Sequence, residues 1–408
     1  MPALSVVMPC HNRAHDLVRV LEAYDRQSGD AAFELIAVDD ASQDATPAVL
    51  NQYRPSRYTL RVERMPRNAG PATARNRGLD LVQSPLVLIA GDDTVPSVDL
   101  VANHLRSHSD APRLEMAILG RVEWPADMPR NTLMRHVDGP GAQQFSYAHF
   151  TDGAEYDYRH LYTANVSLKT DFLRATGMRF DTDFAYAAFE DAELAYRLAA
   201  RGLRIRYAAA PVAFHYHYHT VWSFARRQYH CGLMADVFAR KHPALAHDLR
   251  VTKTRLLAGL AAVHLPDRAW QPSRDWTAEV EERALGLANF YEATPHPLLD
   301  QLYLHVLDYY WQAGLIDGVF GRSELARRVR DAYAAAQLAS QLADFIERAL
   351  DSDVPLPWPN PRSVHAQLRA ARPLLLRSHL VGRVMPEYAR RAYEALRWGE
   401  SVVRGYRG

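Results

Sequence analysis

The sequence has few cysteines, no long apolar run and almost no excess of charge of either sign. Two of its 408 residues are cysteines, Cys10 and Cys231. That number is too small for a disulfide-dense secreted domain, and it indicates unpaired, buried thiols in a reducing compartment. The 48 Lys and Arg balance 47 Asp and Glu, so the composition predicts no nucleic-acid partner.

Long hydrophobic segments are missing as well. The longest apolar runs lie at 86–90 and 256–265, and both are shorter than the roughly 20 residues that span a bilayer. The first residues, MPALSVVMPCHNR, enter a strand pattern at once. They lack a basic start followed by an apolar stretch, so we expect no signal peptide. These features predict a cytoplasmic protein.

The first half of the chain alternates strand and helix patterns. Strand patterns lie at 4–8, 33–38, 58–64 and 86–90, with helical patterns between them. The last of these strands is almost purely apolar, as parallel strands buried on both faces are. The alternation predicts a doubly wound, Rossmann-like α/β sheet. Helical patterns dominate from about residue 252, so we predict an α/β domain over 1–247 and a helical C-terminal domain over 248–408.

Polar clusters follow three of the predicted strands. They lie at 9–13, 39–44 and Asp92–Asp93. Ligand sites in such sheets lie beyond the carboxyl ends of the strands. The three clusters therefore predict one binding site.

The two acidic pairs suggest different partners. A carboxylate pair on a tight turn, as at Asp92 and Asp93, suits a hard divalent cation. Asp39 and Asp40 suit hydrogen bonds from a base or a ribose. Each pair also has a purely structural interpretation, as a solvated turn or an Asx cap.

Two later segments carry further candidates. The segment RNAGPATARNRG at 67–78 places Arg67, Arg75 and Arg77 around a turn that opens a helix, which predicts a phosphate-binding corner or a solvated basic face. In FEDAELAYRL at 189–198, Asp191 is a candidate general base. The alternative is that its charge only offsets the helix dipole.

Three histidines alternate in AFHYHYHT at 213–220. In a strand, His215, His217 and His219 would point to one face and could offer an imidazole to a metal. A zinc site is a weaker interpretation, because no cysteine is nearby and the Asp pairs suit an oxygen-binding metal. A plain strand with partly exposed histidines is the third interpretation.

Taken together, these segments resemble the inverting glycosyltransferases of family 2, which have the GT-A fold. The resemblance covers about residues 3–235 and keeps the order of the family. It runs through SVVMPCHNR, IAVDDASQD, RNAGPATARNRGLDLVQSPLVLIAGDD, TANVSLKTDFLRATGMRFD, FEDAELAYRL and AFHYHYH.

Ten residues are assigned to the site. The resemblance implies that Asp191 is the catalytic base and that the metal is bound by Asp93 and by His215 or His217. It also implies that Pro9, Asn12 and Asp40 contact the nucleotide, with Asp39 supporting them. Asp92, the other residue of the acidic motif, and Arg75 of the predicted phosphate-binding corner are assigned to the donor as well. The family's acidic motif often begins with a further Asp, and Ala90 stands at that position.

The implied activity is a metal-dependent hexosyl transfer with inversion at the anomeric carbon. The donor would be a nucleotide-diphosphate sugar, most simply a UDP-sugar, and the cofactor Mg²⁺ or Mn²⁺. The acceptor would be a glycan or a lipid-linked acceptor, in polysaccharide or glycan biosynthesis. A nucleotidyltransferase would show a Gly-rich loop after the first strand, and CHNRAHD is not Gly-rich. Ala90 leaves open a catalytically inactive nucleotide- or carbohydrate-binding scaffold.

The end of the chain is basic. Residues 361–408 contain ten Arg and three Glu, with apolar and aromatic residues between them. Such a segment could lie on the inner face of a membrane, near a lipid-linked acceptor. The alternatives are a face that covers the catalytic domain and a homodimer contact.

Overall fold

The computed structural model describes residues 1–141, 143–145, 147–255, 274–292, 296, 298–352 and 354–371. It divides into two compact units. The first comprises Met1–Leu256 and Tyr291–Arg322. The described part of the second lies within 274–290 and 323–371. The basic segment predicted to touch a membrane or a second copy lies mostly outside the described residues, and both interpretations stay predictions.

Nine strands form a single sheet in the first unit, as far as the chain is described. In chain order they are β1 (Leu4–Cys10), β2 (Phe33–Asp39), β3 (Thr59–Arg64), β4 (Leu86–Ala90), β5 (Thr94–Pro96), β6 (Met116–Glu123), β7 (Glu155–Tyr156), β8 (Asn165–Lys169) and β9 (Arg204–His215). The spatial order is β3-β2-β1-β4-β8-β6-β9-β5, and β7 pairs with β9. The four strands from β1 to β4 pair in parallel, whereas β8 runs antiparallel to β4 and β6.

The helices follow in chain order. They are α1 (Ala14–Asp25), α2 (Thr46–Gln52), α3 (Pro71–Leu81), α4 (Leu100–Asp110), α5 (Thr132–Asp138), α6 (Thr170–Thr176), α7 (Glu190–Ala199), α8 (Val221–Lys241), α9 (Arg274–Phe290), α10 (Leu299–Phe320), α11 (Glu324–Tyr333), α12 (Ala339–Asp351) and α13 (Pro361–Ala371). A π-helical segment, Ala334–Leu338, joins α11 to α12. None of the helices described is both long and apolar enough to cross a bilayer.

Helices cover both faces of the sheet because the side chains of each strand alternate in direction. Val6 and Met8 of β1 lie in a buried cluster with residues of α1 and α4. Val7, on the opposite face, lies in a second cluster with residues of α3, α6 and α7. Each fully buried aliphatic side chain contributes about 1.5–3 kcal/mol relative to an exposed one. The prediction of a doubly wound α/β sheet is confirmed.

The compact units do not divide the chain between residues 247 and 248, where the sequence predicts a domain boundary. The predicted domain boundary stays a prediction. Helix α10 belongs to the first unit, because it crosses α8 at very close range. A methyl group at Gly232 would lie 1.9 Å from the Trp311 carbonyl oxygen. One at Gly314 would lie 1.9 Å from the Tyr229 carbonyl oxygen. Only glycine allows the two backbones to approach so closely.

Two buried histidines of α4 hold β8 in place. His104 bonds through Nε2 to Asn165 Oδ1 and through Nδ1 to Ser167 Oγ, both at 2.8 Å. His108 Nε2 lies 2.9 Å from the same Ser167 oxygen. Burial lowers the pKa of His104 to about 4 and that of His108 to about 3. Both imidazoles are therefore neutral at neutral pH.

We expect the free energy of unfolding to fall as the pH drops below 6.5. The unfolded chain takes up protons at His104 and His108 near pH 6.5, whereas the folded chain does so only near pH 4 and pH 3, respectively. The unfolded state therefore binds more protons in this window, and acid favours it. The loss at pH 5 is about 2 kcal/mol per histidine. Urea unfolding at pH 7.5 and pH 5.0 measures it.

The matched variants are His104→Gln and His15→Gln. His104 is fully buried, whereas the side chain of His15 is 95% exposed. The difference in stability between the two pH values should shrink in His104→Gln and stay unchanged in His15→Gln. If the free energy of unfolding fell equally between pH 7.5 and pH 5.0 in His104→Gln and in the wild type, His104 would not be a source of the pH dependence.

Candidate functional site

The polar clusters that follow β1, β2 and β4 meet at one edge of the sheet. β1 lies between β2 and β4, and all three run parallel. The His11 N–H donates to Asp92 Oδ2 at 3.1 Å, and the Asn12 N–H donates to Ser42 Oγ at 2.9 Å. Asn12 Oδ1 in turn accepts from the Gln43 N–H at 2.8 Å. These bonds tie the three loops together.

Three residues around this edge have left-handed backbone conformations. They are Asn12 with φ 52°, Ala41 with φ 55° and Phe189 with φ 66°. Such conformations cost about 1–3 kcal/mol each for residues other than glycine, and they persist where the surroundings enforce them. The surrounding contacts therefore hold the loops after β1 and β2 and the start of α7 in backbone conformations that are locally unfavourable.

Asp39 and Asp40 order the neighbouring loops. The carboxylate of Asp40 accepts the N–H groups of Ala69 and Gly70, both at 2.8 Å. Asp39 Oδ1 accepts the Ser42 N–H at 2.9 Å, and its Oδ2 lies 3.2 Å from Arg64 Nη1. Asp39 is buried within these contacts. Its position agrees with a supporting role, and a direct contact with a ligand stays a prediction for both residues.

The turn after β4 presents Asp92 and Asp93. The Thr94 hydroxyl accepts from the Gly91 N–H at 3.0 Å and lies 2.8 Å from the Gly91 carbonyl oxygen, which closes the turn. Burial, together with the charge of Asp93, raises the pKa of Asp92 to about 7. Burial acts in the same direction on Asp93, yet the neighbouring imidazoles and the Arg13 guanidinium hold its pKa well below the usual range.

The prediction that the three histidines share one face of a strand is wrong. β9 ends at His215, and residues 216–220 form a loop that leads into α8. The ring of His215 stacks on Trp124, with centroids 5.2 Å apart. His217 reaches Asp93 from the loop. His219 is buried against Trp124 and Phe224 and is not among the residues that converge on Asp93.

Asp93, His215 and His217 form a candidate metal centre. His217 Nδ1 lies 3.2 Å and His215 Nε2 lies 3.5 Å from Asp93 Oδ2. The three ligand atoms lie within 4.8 Å of one another. One carboxylate oxygen and two imidazole nitrogens are a donor set that suits a divalent cation. The residues present therefore fit the metal that the sequence predicts.

Asp191 lies in the first turn of α7. The helix begins at Glu190, directly after the strained Phe189. Burial and the adjacent Glu190 raise the pKa of Asp191 to about 7. A carboxyl group with such a pKa is suited to accept a proton near neutral pH.

Two of the three arginines predicted for the phosphate-binding corner have partners of their own, Arg75 and Arg77. Arg75 Nη1 lies 2.7 Å from Glu190 Oε1 in a buried ion pair. Arg77 Nη2 lies 2.7 Å from Glu63 Oε1. Arg75 thus holds the residue next to Asp191. Its predicted contact with a phosphate stays a prediction.

A cavity of about 1190 Å³ brings these groups together. Eight of the ten residues predicted for the site line it: Pro9, Asp40, Arg75, Asp92, Asp93, Asp191, His215 and His217. The other two, Asn12 and Asp39, bond to the neighbouring loops. Arg13 also lines the cavity and contacts both Asp92 and Asp93. Sequence reasoning assigned it no role of its own, although it ends the polar cluster at 9–13, which was predicted to share one site with the two acidic pairs.

Comparison with known proteins identifies the kind of enzyme. Residues 5–173 match the family described as Glycosyl transferase family 2. This segment resembles glycosyltransferase family 2, and the chain is a glycosyltransferase. Validoxylamine A glucosyltransferase from Streptomyces hygroscopicus subsp. jinggangensis is 29% identical to it over 315 residues, 70% of this chain and 72% of the relative.

Two further proteins show the range of the similarity. The uncharacterized glycosyltransferase YfnE from Bacillus subtilis is 23% identical over 252 residues, 52% of this chain and 64% of that protein. The crystal structure of S. aureus TarS 1-349 in complex with UDP is 17% identical, with a TM-score of 0.46 over 83% of this chain and 92% of that one.

The family 2 match covers most of the sheet and ends before α7. The predicted fold class, a GT-A, Rossmann-like α/β sheet followed by a helical C-terminal region, is confirmed. Asp92 and Asp93 lie within the matched segment of this glycosyltransferase. Asp191, His215 and His217 lie beyond it, so the argument for their roles depends on the geometry of this chain.

Proposed function

We propose that this glycosyltransferase moves a hexose from a nucleotide-diphosphate sugar to an acceptor hydroxyl, with inversion at the anomeric carbon. The observation that carries the proposal is that Asp93, His215, His217 and Asp191 line one cavity. The donor is a UDP-sugar, and the product belongs to polysaccharide or glycan biosynthesis. A relative named as a glucosyltransferase supports the transfer of a hexose.

Asp191 is the proposed general base. It accepts the proton of the acceptor hydroxyl while that oxygen attacks the anomeric carbon. Its raised pKa of about 7 makes it a stronger base than an ordinary carboxylate and leaves a large fraction ionised at neutral pH. The ion pair between Arg75 and Glu190 fixes the first turn of α7 and orients Asp191. A single displacement needs no nucleophile from the protein.

Asp93, His215 and His217 would hold the divalent cation. When bound, the cation would supply positive charge to the departing diphosphate. Two imidazole ligands favour Mn²⁺ over Mg²⁺, because Mg²⁺ is bound mainly by oxygen. Trp124 keeps the ring of His215 in place by stacking. Pro9, Asp40, Arg75 and Asp92 form the proposed donor side of the cavity. Asn12 and Asp39 support it through their hydrogen bonds to the neighbouring loop.

Thermal unfolding with nucleoside diphosphates tests the proposal. We expect UDP with Mn²⁺ to raise the unfolding midpoint, because a ligand that binds only the folded state at 100 times its Kd adds about 2.7 kcal/mol. A chelator should abolish the shift, and so should Asp93→Asn. Asp110→Asn removes an exposed carboxylate at the end of α4 and should keep it.

Other outcomes separate the alternatives. A shift of equal size in the presence of chelator would contradict the metal site. Binding of UDP-sugars without hydrolysis or transfer to any acceptor would favour the inactive scaffold. A larger shift with GDP than with UDP would overturn the choice of donor base alone.

A further inference from the structure

Arg13 stands where the proposed cation would bind. Its Nη2 lies 3.1 Å from Asp93 Oδ2 and 3.4 Å from His217 Nδ1. Its Nε lies 3.4 Å from Asp92 Oδ1. The guanidinium therefore contacts two of the three proposed metal ligands, and it reaches Asp93 at the same oxygen that faces both imidazoles.

We propose that Arg13 competes with the divalent cation for Asp93 and moves to the donor diphosphate when the cation binds. The inference rests on the proposed function. It adds to the proposed function that the divalent cation and the donor diphosphate each favour the binding of the other. The cation alone binds weakly because it must displace Arg13, and the cation with a diphosphate binds tightly because the diphosphate receives Arg13.

The two cations exclude each other for reasons of distance and charge. A divalent ion lies roughly 2.0–2.2 Å from its carboxylate oxygen. An ion bound to Asp93 Oδ2 and His217 Nδ1 would lie against Arg13 Nη2, which is 3.1 Å from that oxygen and 3.4 Å from that nitrogen. Two positive groups at such a distance in a partly buried site repel strongly. One of them must leave.

Arg13 has the freedom to be the one that moves. Its backbone is held, because its N–H donates to Thr46 Oγ1 at 2.8 Å. Its side chain is 29% exposed and lines the cavity. A guanidinium binds phosphate oxygens through paired hydrogen bonds. A diphosphate in this cavity is therefore the natural acceptor of the displaced side chain.

Arg75, another arginine that lines the cavity, is differently placed. It is buried and bound to Glu190 at 2.7 Å. Its release would leave Glu190 unpaired in the interior, which is costly. Release of Arg13 leaves Asp93 bound to the incoming cation instead. Asp92, which Arg13 also contacts, keeps the hydrogen bond from the His11 N–H.

The experiment measures binding and needs no acceptor. Free Mn²⁺ is followed by electron paramagnetic resonance during titration with the full chain, and the preformed Mn²⁺–pyrophosphate complex is titrated by calorimetry. Pyrophosphate serves as the probe because it carries the diphosphate without any base. The proteins are the wild type, Arg13→Gln, Arg13→Lys, Arg26→Gln and Asp93→Asn. Arg26→Gln removes the arginine that directly follows α1, as Arg13 directly precedes it, and the side chain of Arg26 is 63% exposed.

Arg13→Gln should change the two affinities in opposite directions. It should bind Mn²⁺ alone about tenfold more tightly than the wild type and Mn²⁺–pyrophosphate about tenfold more weakly, within the range of typical coupling factors. Arg13→Lys should lie between the two, and Arg26→Gln should match the wild type. A variant that merely unfolded the site would bind both ligands more weakly.

Several results would overturn the inference. Unchanged or weaker binding of Mn²⁺ by Arg13→Gln would show that Arg13 does not compete with the cation. Unchanged binding of Mn²⁺–pyrophosphate would show that Arg13 does not receive the diphosphate. Either result leaves the proposed function standing, provided that Asp93→Asn loses Mn²⁺. Retention of Mn²⁺ by Asp93→Asn, or no binding by the wild type, would overturn the proposed metal site and this inference together.

Discussion

Asp191→Asn is expected to lower the rate of sugar transfer by about 10²–10⁴-fold, the contribution typical of a general base. The amide has the shape of the carboxylate but cannot accept the proton of the acceptor hydroxyl. Donor binding should be nearly unchanged, because the donor contacts proposed here lie around Asp40 and Asp93. Steady-state kinetics measures the first effect, and the UDP-induced shift in unfolding midpoint measures the second.

The pH profile gives an independent check of the same assignment. The pKa of Asp191 is raised to about 7, and the base must be deprotonated to work. In the wild type, kcat/KM should therefore fall about tenfold per pH unit below pH 7. The residual activity of Asp191→Asn should not show this fall of kcat/KM below pH 7.

Asp171→Asn is the matched control. Asp171 also lies in the first turn of a short helix, α6, and its side chain is 75% exposed. If Asp191 acted only on the helix dipole, both variants would lose a little stability and neither would lose turnover. Full activity in Asp191→Asn would show that Asp191 is not the general base.

Gly314→Ala is expected to destabilise the first unit by about 3 kcal/mol, at the upper end of the usual range for overpacking. The new methyl group would lie 1.9 Å from a backbone carbonyl oxygen of α8. A backbone atom cannot move away as a flexible side chain can, so the two helices must separate along their length. Urea unfolding of the full chain measures the loss.

Gly286→Ala serves as the comparison. Gly286 lies within α9, and a methyl group there would meet no described atom within 4 Å. Alanine has the higher helix propensity, so this variant should be more stable by about 0.5–1 kcal/mol. Similar effects at Gly286 and Gly314 would show that α8 and α10 do not pack as closely as described.

Local patterns predicted most of the sheet. The strand predicted at 86–90 is β4 residue for residue, and the polar groups after β1, β2 and β4 meet because parallel neighbours end at the same edge. These features depend on residues that are close in sequence and on the period of burial within a strand. They need no knowledge of distant contacts.

The partners of the charged groups could not be predicted in this way. The ion pair between Arg75 and Glu190 joins residues 115 positions apart, and the contact between Arg13 and His217 joins residues 204 positions apart. The geometry of the loop after β9 could not be predicted from local patterns either. The alternation of His215 and His217 predicted a strand, whereas β9 ends at His215 and His217 contacts Asp93 from the loop that follows.

The close crossing of α8 and α10 has a consequence for synthesis of the protein. Helix α8 ends at Lys241, but its partner α10 ends only at Phe320. Domains generally fold as units while the chain emerges from the ribosome. The first unit cannot be completed until some 80 further residues have been translated. Until then, no helix packs against the surface of α8 around Gly232. We infer that α8 would be sensitive to proteases once it has left the ribosome, and that protection would appear only after α10 has emerged as well.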